Sequence, residues 1–324
     1  MAGTGAVLLG LGGALRAMTG DLFEFMLASA LFAIGHGLVL PNLPKAIRGC
    51  FPKSLIGTAS GLYLIGFPLG TTIATGATPL LAEVARGWRG ALVTWGAIAL
   101  LFSLAWWITV RDPPASSRTS VLRISFPSSV VRNIHILILS VIFFISALMF
   151  VIEVAWFPTL VTERGVSELQ AGFLVSTLTL GNLVGVVILP ALSDRLGLRL
   201  PFLWVPAAAS ALGLVALIFV PASPILILLP VLGFALAGPF TMTFILPGEL
   251  VEYVHLGAAS GIVFAIGWSG IGVGSWLAGF LRDLSGGFLT TLYALVISAL
   301  IIITLSNFLP ETGKRAKLRN PTRT

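Results

Sequence analysis

The sequence has very little charge and almost no cysteine. Asp, Glu, Lys and Arg make up only 10% of its 324 residues, whereas soluble globular domains contain roughly 25%. The single cysteine, Cys50, excludes an intrachain disulfide, and the three histidines (His36, His135 and His255) form no cluster that suggests a metal. No phosphate-binding P-loop and no Gly-x-Ser-x-Gly nucleophile elbow occur. These absences argue against an enzyme, and no cofactor or metal is expected.

Apolar residues are abundant instead. They account for 57% of the chain, and the mean hydropathy is +1.03, so lipid is expected to cover much of the surface. Crossing about 30 Å of hydrocarbon takes about 20 apolar helical residues. Runs of this kind predict an all-α membrane protein with about ten spans, at approximately 2–18, 22–44, 54–82, 89–110, 134–158, 169–190, 201–220, 224–246, 256–281 and 287–309.

One short phrase occurs twice in the chain. Residues 57–61 read Gly-Thr-Ala-Ser-Gly and residues 257–261 read Gly-Ala-Ala-Ser-Gly, and each begins an apolar run that continues with Gly66-Phe67 or Gly267-Trp268. A repeat of roughly 200 residues built from membrane helices is typical of transporters in which two duplicated bundles enclose a site near the midplane. The repeat therefore predicts two pseudo-symmetric halves.

The basic residues predict the orientation of the spans, because Lys and Arg accumulate in cytoplasmic loops. If the first span runs outward, only five basic residues lie outside, namely Arg16, Arg86, Arg89, Arg164 and Arg282. The net charge of +7 is then mainly a topology signal, and no nucleic-acid partner is needed to explain it.

Composition also predicts the domain boundaries. The stretch 111–133 is rich in Pro, Ser and Arg, and we interpret it as a cytoplasmic linker. It separates a partial N-terminal bundle of four spans at 1–110 from a six-helix bundle at 134–310. Residues 311–324 form a basic tail that is expected to face solvent or lipid headgroups.

The repeat also predicts that the first half is shorter than the second. The charged turn Ser193-Asp194-Arg195-Leu196-Gly197-Leu198-Arg199 would have its counterpart just upstream of Met1, and the two spans before this turn have no first-half equivalents. Ten spans then correspond to twelve minus the first two, and we expect the chain to be N-terminally incomplete.

The charged turn resembles the Asp-Arg-x-Gly-Arg/Lys-Arg loop of the major facilitator superfamily, with Leu198 in place of a second basic residue. Further matches in family order include Gly87-Trp88-Arg89 and Trp156-Phe157-Pro158, elements most similar to the cyanate- and nitrate-type or organic-anion permeases. The resemblance implies alternating access by two helical bundles and a cytoplasmic gate at Asp194, Arg195 and Arg199. The alternative is that the two arginines are ordinary positive-inside anchors.

Polar residues at membrane depth are the candidates for substrate or proton coupling, because a charge there costs several kcal/mol. Glu153 is a coupling carboxylate or an interfacial one, and His36 is a proton acceptor or a packing histidine. Asn182 suits substrate contact and helix–helix bonding equally well. Further candidates are Trp156, Asn42, Tyr63, Thr241 and Trp268, although packing or an aromatic belt is the default for the two tryptophans.

These observations predict a multi-pass transporter of the cytoplasmic, inner membrane. Its expected partners are the lipid bilayer, a small solute and protons, and it is expected to work as a symporter or uniporter. No Lys or Arg lies at the centre of a predicted span, which weakens recognition of a nitrate-like anion. The alternative function is a truncated, non-transporting membrane protein. The oligomeric state is left open.

Overall fold

The computed structural model describes residues 2–39, 56–110, 128–219, 225–252 and 255–313, and the regular elements in these ranges are helices. The first part contains α1 (Ala2–Leu15), which is followed by a 3-10 turn (Arg16–Met18), α2 (Leu22–Val39), α3 (Ile56–Val84) and α4 (Trp88–Thr109). The second part contains α5 (Ser128–Val131), α6 (Ile134–Thr162), α7 (Glu168–Leu196), α8 (Pro201–Phe219), α9 (Ile225–Ile245), α10 (Pro247–Leu250), α11 (Leu256–Ser285) and α12 (Leu289–Ser306).

Each of the ten predicted spans overlaps one helix within the described residues. Within the described residues, eight helices are long and apolar enough to cross a membrane, and α1 together with the turn after it forms a shorter apolar helix, Gly3–Met18. The remaining span, α3, has 29 residues but is rich in threonine and glycine. Several spans contain internal prolines, such as Pro158 and Pro190, which membrane helices tolerate because neighbouring groups satisfy the freed backbone.

The contacts divide the chain into two compact units. The first comprises Met1–Phe67 and Ala77–Leu122, and the second comprises Pro68–Gly76 and Arg123–Thr324. In the first unit, α1 packs against both α2 and α4. These contacts are close: a Cβ on Gly12 would lie 2.5 Å from the Phe32 nitrogen, and one on Gly96 would lie 2.7 Å from the Ala14 nitrogen. Small residues permit such approaches where lipid supplies no hydrophobic driving force.

In the second unit, the main packed pairs are α6 with α11, α7 with α9, and α8 with α9 and α12. Two of these helices begin with a side-chain cap. The Asn133 side chain accepts a hydrogen bond from the His135 N–H, and the Ser167 hydroxyl accepts one from Gln170. Such caps satisfy backbone donors that have no partner within the helix. The helices therefore have defined starting points in the loops that flank the apolar spans.

Candidate functional site

A network of charged and polar side chains connects three segments of the second unit on its predicted cytoplasmic side. At its centre, the Arg199 guanidinium bonds Glu249, with Nη2 at 2.7 Å from Oε1 and Nε at 3.1 Å from the same oxygen. Its Nη1 lies 2.7 Å from Asp194 Oδ1 and 2.9 Å from the Ser193 hydroxyl. We call this set the Arg199 network; its members are Ser193, Asp194, Arg199, Glu249, Glu311 and Thr312.

The segment after α12 completes the network. The Thr312 hydroxyl donates to Glu249 at 2.5 Å. The Glu311 carboxylate accepts from the backbone N–H groups of Arg199 at 2.7 Å and Leu200 at 3.0 Å. A carboxylate at this position caps the start of α8, where backbone donors lack partners and the helix dipole favours negative charge. Glu311 therefore links the chain after the last span to the loop between α7 and α8.

Glycine allows the turn between α7 and α8 to form. Gly197 ends α7 with a left-handed φ of 65°, and its N–H bonds the Ser193 carbonyl at 2.9 Å. This conformation is the usual glycine helix end. A Cβ on Gly313 would overlap the Gly197 carbonyl oxygen, so a side chain at position 313 would separate the two segments. The turn thereby positions Arg199 to face Asp194 and Glu249.

The carboxylates hold Arg199 in its charged form. Hydrogen bonding to Glu249, with a smaller contribution from Asp194, raises the pKa of the Arg199 guanidinium, although partial burial opposes this. Because the folded-state pKa is raised, this contribution to stability is fully present below the ordinary arginine pKa. It would be lost only as the pH rises above that value. The positive charge of Arg199 therefore does not change over the physiological pH range.

The predicted gate residues have different environments in the structure. Asp194 and Arg199 form an ion pair, but Arg195 is exposed and takes no part in the network as described. The sequence interpretation missed Glu249, Glu311 and Thr312. Glu249 and Glu311 each follow closely after a proline, Pro247 or Pro310, at the end of an apolar run. Acidic residues at these span ends were the available signal in the sequence, because negative charge is favourable near the start of a helix.

Glu153 lies in the interior of the second unit. It is 0% exposed, and among the described residues neither of its carboxylate oxygens has a hydrogen-bond partner. It is nine residues before the end of α6 at Thr162, a distance of about 13 Å along the helix. The side chain is therefore enclosed by protein, and the choice between a coupling carboxylate and an interfacial one stays a prediction.

The helices that pack against α6 offer no counter-ion to Glu153. In their described parts, α9 has no titratable residue, and α12 has only Tyr293, which is half exposed. The charged residues of the other neighbours lie at or near the ends of their helices. These residues are Glu168, Asp194 and Arg195 on α7, Glu249 on α10, and Arg282 and Asp283 on α11.

Asn182 lies where α7 crosses α9. It is 5% exposed, and its amide nitrogen donates to the Gly233 carbonyl at 3.2 Å. The second buried candidate, Thr241, donates within its own helix to the Ala237 carbonyl at 2.7 Å. The helix–helix bond of Asn182 fits the packing alternative, and a substrate role for either residue stays a prediction.

The two candidate tryptophans contact α6 and α11 in different ways. The Trp156 indole N–H donates to the Ser275 carbonyl at 3.2 Å and so connects the two helices. Trp268 packs edge to face against Phe143, with ring centres 5.3 Å apart. It belongs to a group of five rings that we call the ring cluster: Phe143 on α6, Phe240 and Phe244 on α9, and Phe264 and Trp268 on α11.

His36 lies in the first unit on an exposed part of α2. Its ring stacks on Phe32, with centres 6.4 Å apart, and the guanidinium carbon of Arg16 lies 4.2 Å from the centre of the same Phe32 ring. Of the other candidates, Asn42 lies outside the described residues. Tyr63 lies in α3, and its side chain is outside the described part of the structure.

Comparison with known proteins gives a consistent family assignment. The family model described as Major Facilitator Superfamily matches residues 1–205 and 138–324. The chain is 26% identical over 294 residues to an uncharacterized transporter, YycB, of Bacillus subtilis (strain 168), covering 90% of this chain and 72% of the relative. It is 27% identical over 287 residues to the cyanate transport protein CynX of Escherichia coli (strain K12), covering 86% and 73%. A 2-nitroimidazole transporter of the same strain is 25% identical over 281 residues, covering 86% and 71%.

Solved structures with a similar fold are named as transporters or transporter homologues. FucP in the outward conformation has a TM-score of 0.62 at 18% identity, over 95% of this chain and 82% of that chain. A bacterial homologue of the human lysosomal transporter Spinster, inward-facing and unoccupied, has a TM-score of 0.75 at 16% identity, over 95% and 81%. At these identities the likeness concerns the fold alone.

Proposed function

Because the chain belongs to the major facilitator superfamily, we propose that it couples the movement of its solute to protons through Glu153. The protein is an integral, multi-pass membrane transporter of the bacterial inner-membrane type that moves a small solute by alternating access. We propose symport, with residues 1–110 and 134–310 as the two halves and 111–133 as the cytoplasmic linker between them.

The enclosed carboxylate of Glu153 is the observation that carries this proposal. An ionised carboxylate in the protein interior costs several kcal/mol unless a counter-charge or hydrogen bonds compensate it. Glu153 has no hydrogen-bond partner among the described residues, and the neighbouring helices have no cation at its depth. A proton that binds and leaves as access alternates would neutralise the carboxylate in one stage of the cycle. Intramembrane carboxylates of this kind commonly belong to proton relays.

The solute is proposed to be a small molecule, as the names of two relatives indicate. CynX is named for cyanate, and another relative is named for 2-nitroimidazole. Both compounds are small. The absence of Lys or Arg from the centres of the described spans favours an uncharged solute such as 2-nitroimidazole over an anion such as cyanate, and the two compounds together test this difference. Cyanate and 2-nitroimidazole are therefore the first probes for uptake.

The test is uptake of these two probes by cells or proteoliposomes that contain the full chain, with and without an inward proton gradient. We expect the gradient to stimulate uptake by the unmodified protein. Glu153→Gln should abolish this stimulation while the amount of membrane-inserted protein stays the same, because Gln keeps the size of the side chain but cannot release a proton. Glu168→Gln is the matched control, since Glu168 is exposed at the start of α7. Unchanged pH dependence of uptake by Glu153→Gln over roughly pH 5 to 8 would refute proton coupling at this residue.

A further inference from the structure

Unpartnered polar atoms are rare in the interior of the second unit. Most of its buried hydroxyls donate to a backbone carbonyl, as Ser140 and Ser306 do to the residue four positions earlier, at 2.8 and 2.7 Å. Among the described residues that are no more than 1% exposed, three side chains have oxygens without a hydrogen-bond partner: Glu153, Ser210 and Thr291. Native interiors leave few polar groups unsatisfied, so these positions are where a further hydrogen-bonding ligand is expected.

Glu153 and Thr291 lie at the same depth on two helices that pack together. α12 packs against α6, and the rings of Trp156 and Phe288 mark the contact, with centres 6.0 Å apart. Glu153 precedes Trp156 by three residues. Thr291 follows Phe288 by three. Because α6 and α12 are the fifth and tenth spans and run in opposite directions, each residue lies about 4.5 Å inward from the ring contact. Residues three positions apart share a side of a helix, so both lie on the facing sides of the two helices.

The three unpartnered oxygens of this pair suit one internal water molecule. A buried water typically makes about three hydrogen bonds to polar groups that would otherwise be unsatisfied, and Glu153 supplies two oxygens and Thr291 one. The two side chains do not bond each other directly, and a water between such groups is nearly as favourable as a direct hydrogen bond. Pro158 adds another acceptor, because it has no N–H to donate to the Val154 carbonyl one turn before it. The surroundings of Glu153 are therefore polar enough to hold a water.

We propose that an internal water held by Thr291 and Glu153 carries protons between Glu153 and the outer side of the membrane. The inference rests on the proton coupling proposed above, and it specifies the side from which the proton arrives and the residue that positions it. Thr291 is the third residue of α12, next to Thr290, whose hydroxyl lies 2.7 Å from that of the exposed Ser285. Hydroxyl groups therefore follow one another from the outer surface to the depth of Glu153. The water gives one proton to the carboxylate and takes one from the outer side, while Thr291 orients it and stays neutral.

The titratable groups around this pair lie nearer the ends of the helices. At the outer end, Glu163 pairs with Arg282 at 2.7 Å, and Tyr293 is half exposed. The others are Arg164, Glu168 and Asp283 at the outer end, and Arg132, His135, Asp194, Arg195, Glu249 and His255 at the cytoplasmic end. These groups are the same in every variant used below, so a change confined to the Thr291 variants comes from the pair itself.

The experiment is infrared difference spectroscopy between acid and alkaline pH on the purified full chain in lipid nanodiscs, which needs no solute. The C=O stretching band of the protonated Glu153 carboxyl is the band that disappears in Glu153→Gln. Thr291→Val keeps the shape of the side chain but removes the hydroxyl. The band should therefore move to higher frequency, and its exchange in D2O should slow by about threefold to tenfold, the factor for one lost hydrogen bond. Thr291→Ser retains the hydroxyl and should restore both values.

The outer route has its own test. Combined Ser285→Ala and Thr290→Val substitutions remove the two hydroxyls nearer the surface, so exchange in D2O should slow while the frequency of the band stays the same. Exchange as fast as in the unmodified protein would overturn the outer route.

Ser210→Ala is the matched control for Thr291→Val. Ser210 is an equally buried and unpartnered hydroxyl, but α8 packs mainly against α9 and α12, so the band and its exchange should stay as in the unmodified protein. Equal changes in Ser210→Ala and Thr291→Val, or a Glu153 band that Thr291→Val neither moves nor slows, would overturn the inference and leave proton binding at Glu153 intact. If no band depended on Glu153, the proposed coupling at this residue would be rejected, and the inference with it.

Discussion

At the scale of single residues, Glu153 and Asn182 show how two buried polar groups differ in what they can do. The Asn182 amide is committed to the Gly233 carbonyl at 3.2 Å, so it already contributes to the contact of α7 with α9. The Glu153 oxygens have no such partner in the described structure. Breaking a buried hydrogen bond costs about 1–3 kcal/mol. The Asn182 amide would have to lose its bond to Gly233 before it could donate to a substrate. Proton binding at Glu153 does not require an existing hydrogen bond among the described residues to break.

His36 supports a prediction at the same scale. Its ring is exposed, whereas the neighbouring Gly35 makes the close contact with α1: a Cβ there would lie 2.9 Å from the Leu9 Cα. His36→Ala should therefore leave the amount and the Tm of the protein unchanged. If His36 exchanges protons with solvent, the substitution should shift the pH profile of uptake but retain gradient stimulation, because Glu153 is still present. Uptake over roughly pH 5 to 8 measures this, with His255→Ala as control. Loss of folded protein would mean that His36 is a packing residue.

The sequence could place polar residues at membrane depth but could not determine which way they point. For Glu153, hydropathy alone allowed an interfacial position, because Trp156 and Pro158 follow it. Its burial depends on the angular position of one side chain on a helix that has protein on most sides. Similarly, only the structure shows the packing contacts of Trp268 with Phe143 and Phe240. Rotation of a nearly uniformly apolar helix leaves almost no pattern in its sequence.

At the scale of helices, α7 and α9 of the second unit cross with their backbones close together. A Cβ on Gly233 would overlap the Leu178 carbonyl oxygen, and one on Gly181 would overlap that of Pro230. Backbone therefore meets backbone in both directions, and neither atom can move aside as a flexible side chain could. Membrane helices associate chiefly by such close packing, since lipid competes equally well for apolar side chains.

Gly233→Ala is accordingly expected to destabilise the protein. One methyl group must force the two helices apart, and overpacking of this kind typically costs about 1–3 kcal/mol. The Tm of the purified protein should fall, and the yield of folded protein should decrease. Gly272→Ala is the control, because a Cβ on Gly272 meets no atom within 4 Å. Equal Tm values for the two variants would contradict the close crossing of α7 and α9.

The number and order of the helices could be predicted from apolar runs, but their ends could not. The predicted spans 134–158, 169–190 and 256–281 stop before the helices do, which end at Thr162, Leu196 and Ser285. The apolar run ends where the hydrocarbon ends, whereas backbone hydrogen bonding continues through polar residues such as Asp194 and Arg195. Helices of 29 or 30 residues exceed the roughly 20 residues that hydrocarbon requires.

At the scale of the whole chain, the Arg199 network depends on residues that are remote in sequence. Arg199 is separated from Glu249 by 50 positions and from Glu311 by 112. The sequence repeat and the charged turn identified Asp194 and Arg199, but they contain no information about which distant acids would face them. Long-range pairs of this kind follow from the packing of α7, α8, α10 and the segment after α12. The network can therefore form only when these segments of the second unit have packed together.

Arg199→Ala should consequently destabilise the second unit. The substitution removes the partner of two carboxylates, and the loss of hydrogen bonds to a charged group that is only 12% exposed costs on the order of 1–3 kcal/mol. Because the carboxylates raise the pKa of Arg199, the difference in Tm from the unmodified protein should be constant from about pH 6 to pH 9. Arg195→Ala, in the same turn but exposed, should keep the original Tm. If Arg195→Ala and Arg199→Ala lowered uptake equally and neither changed the Tm, the two arginines would act as equivalent surface anchors, and the network would have no structural role.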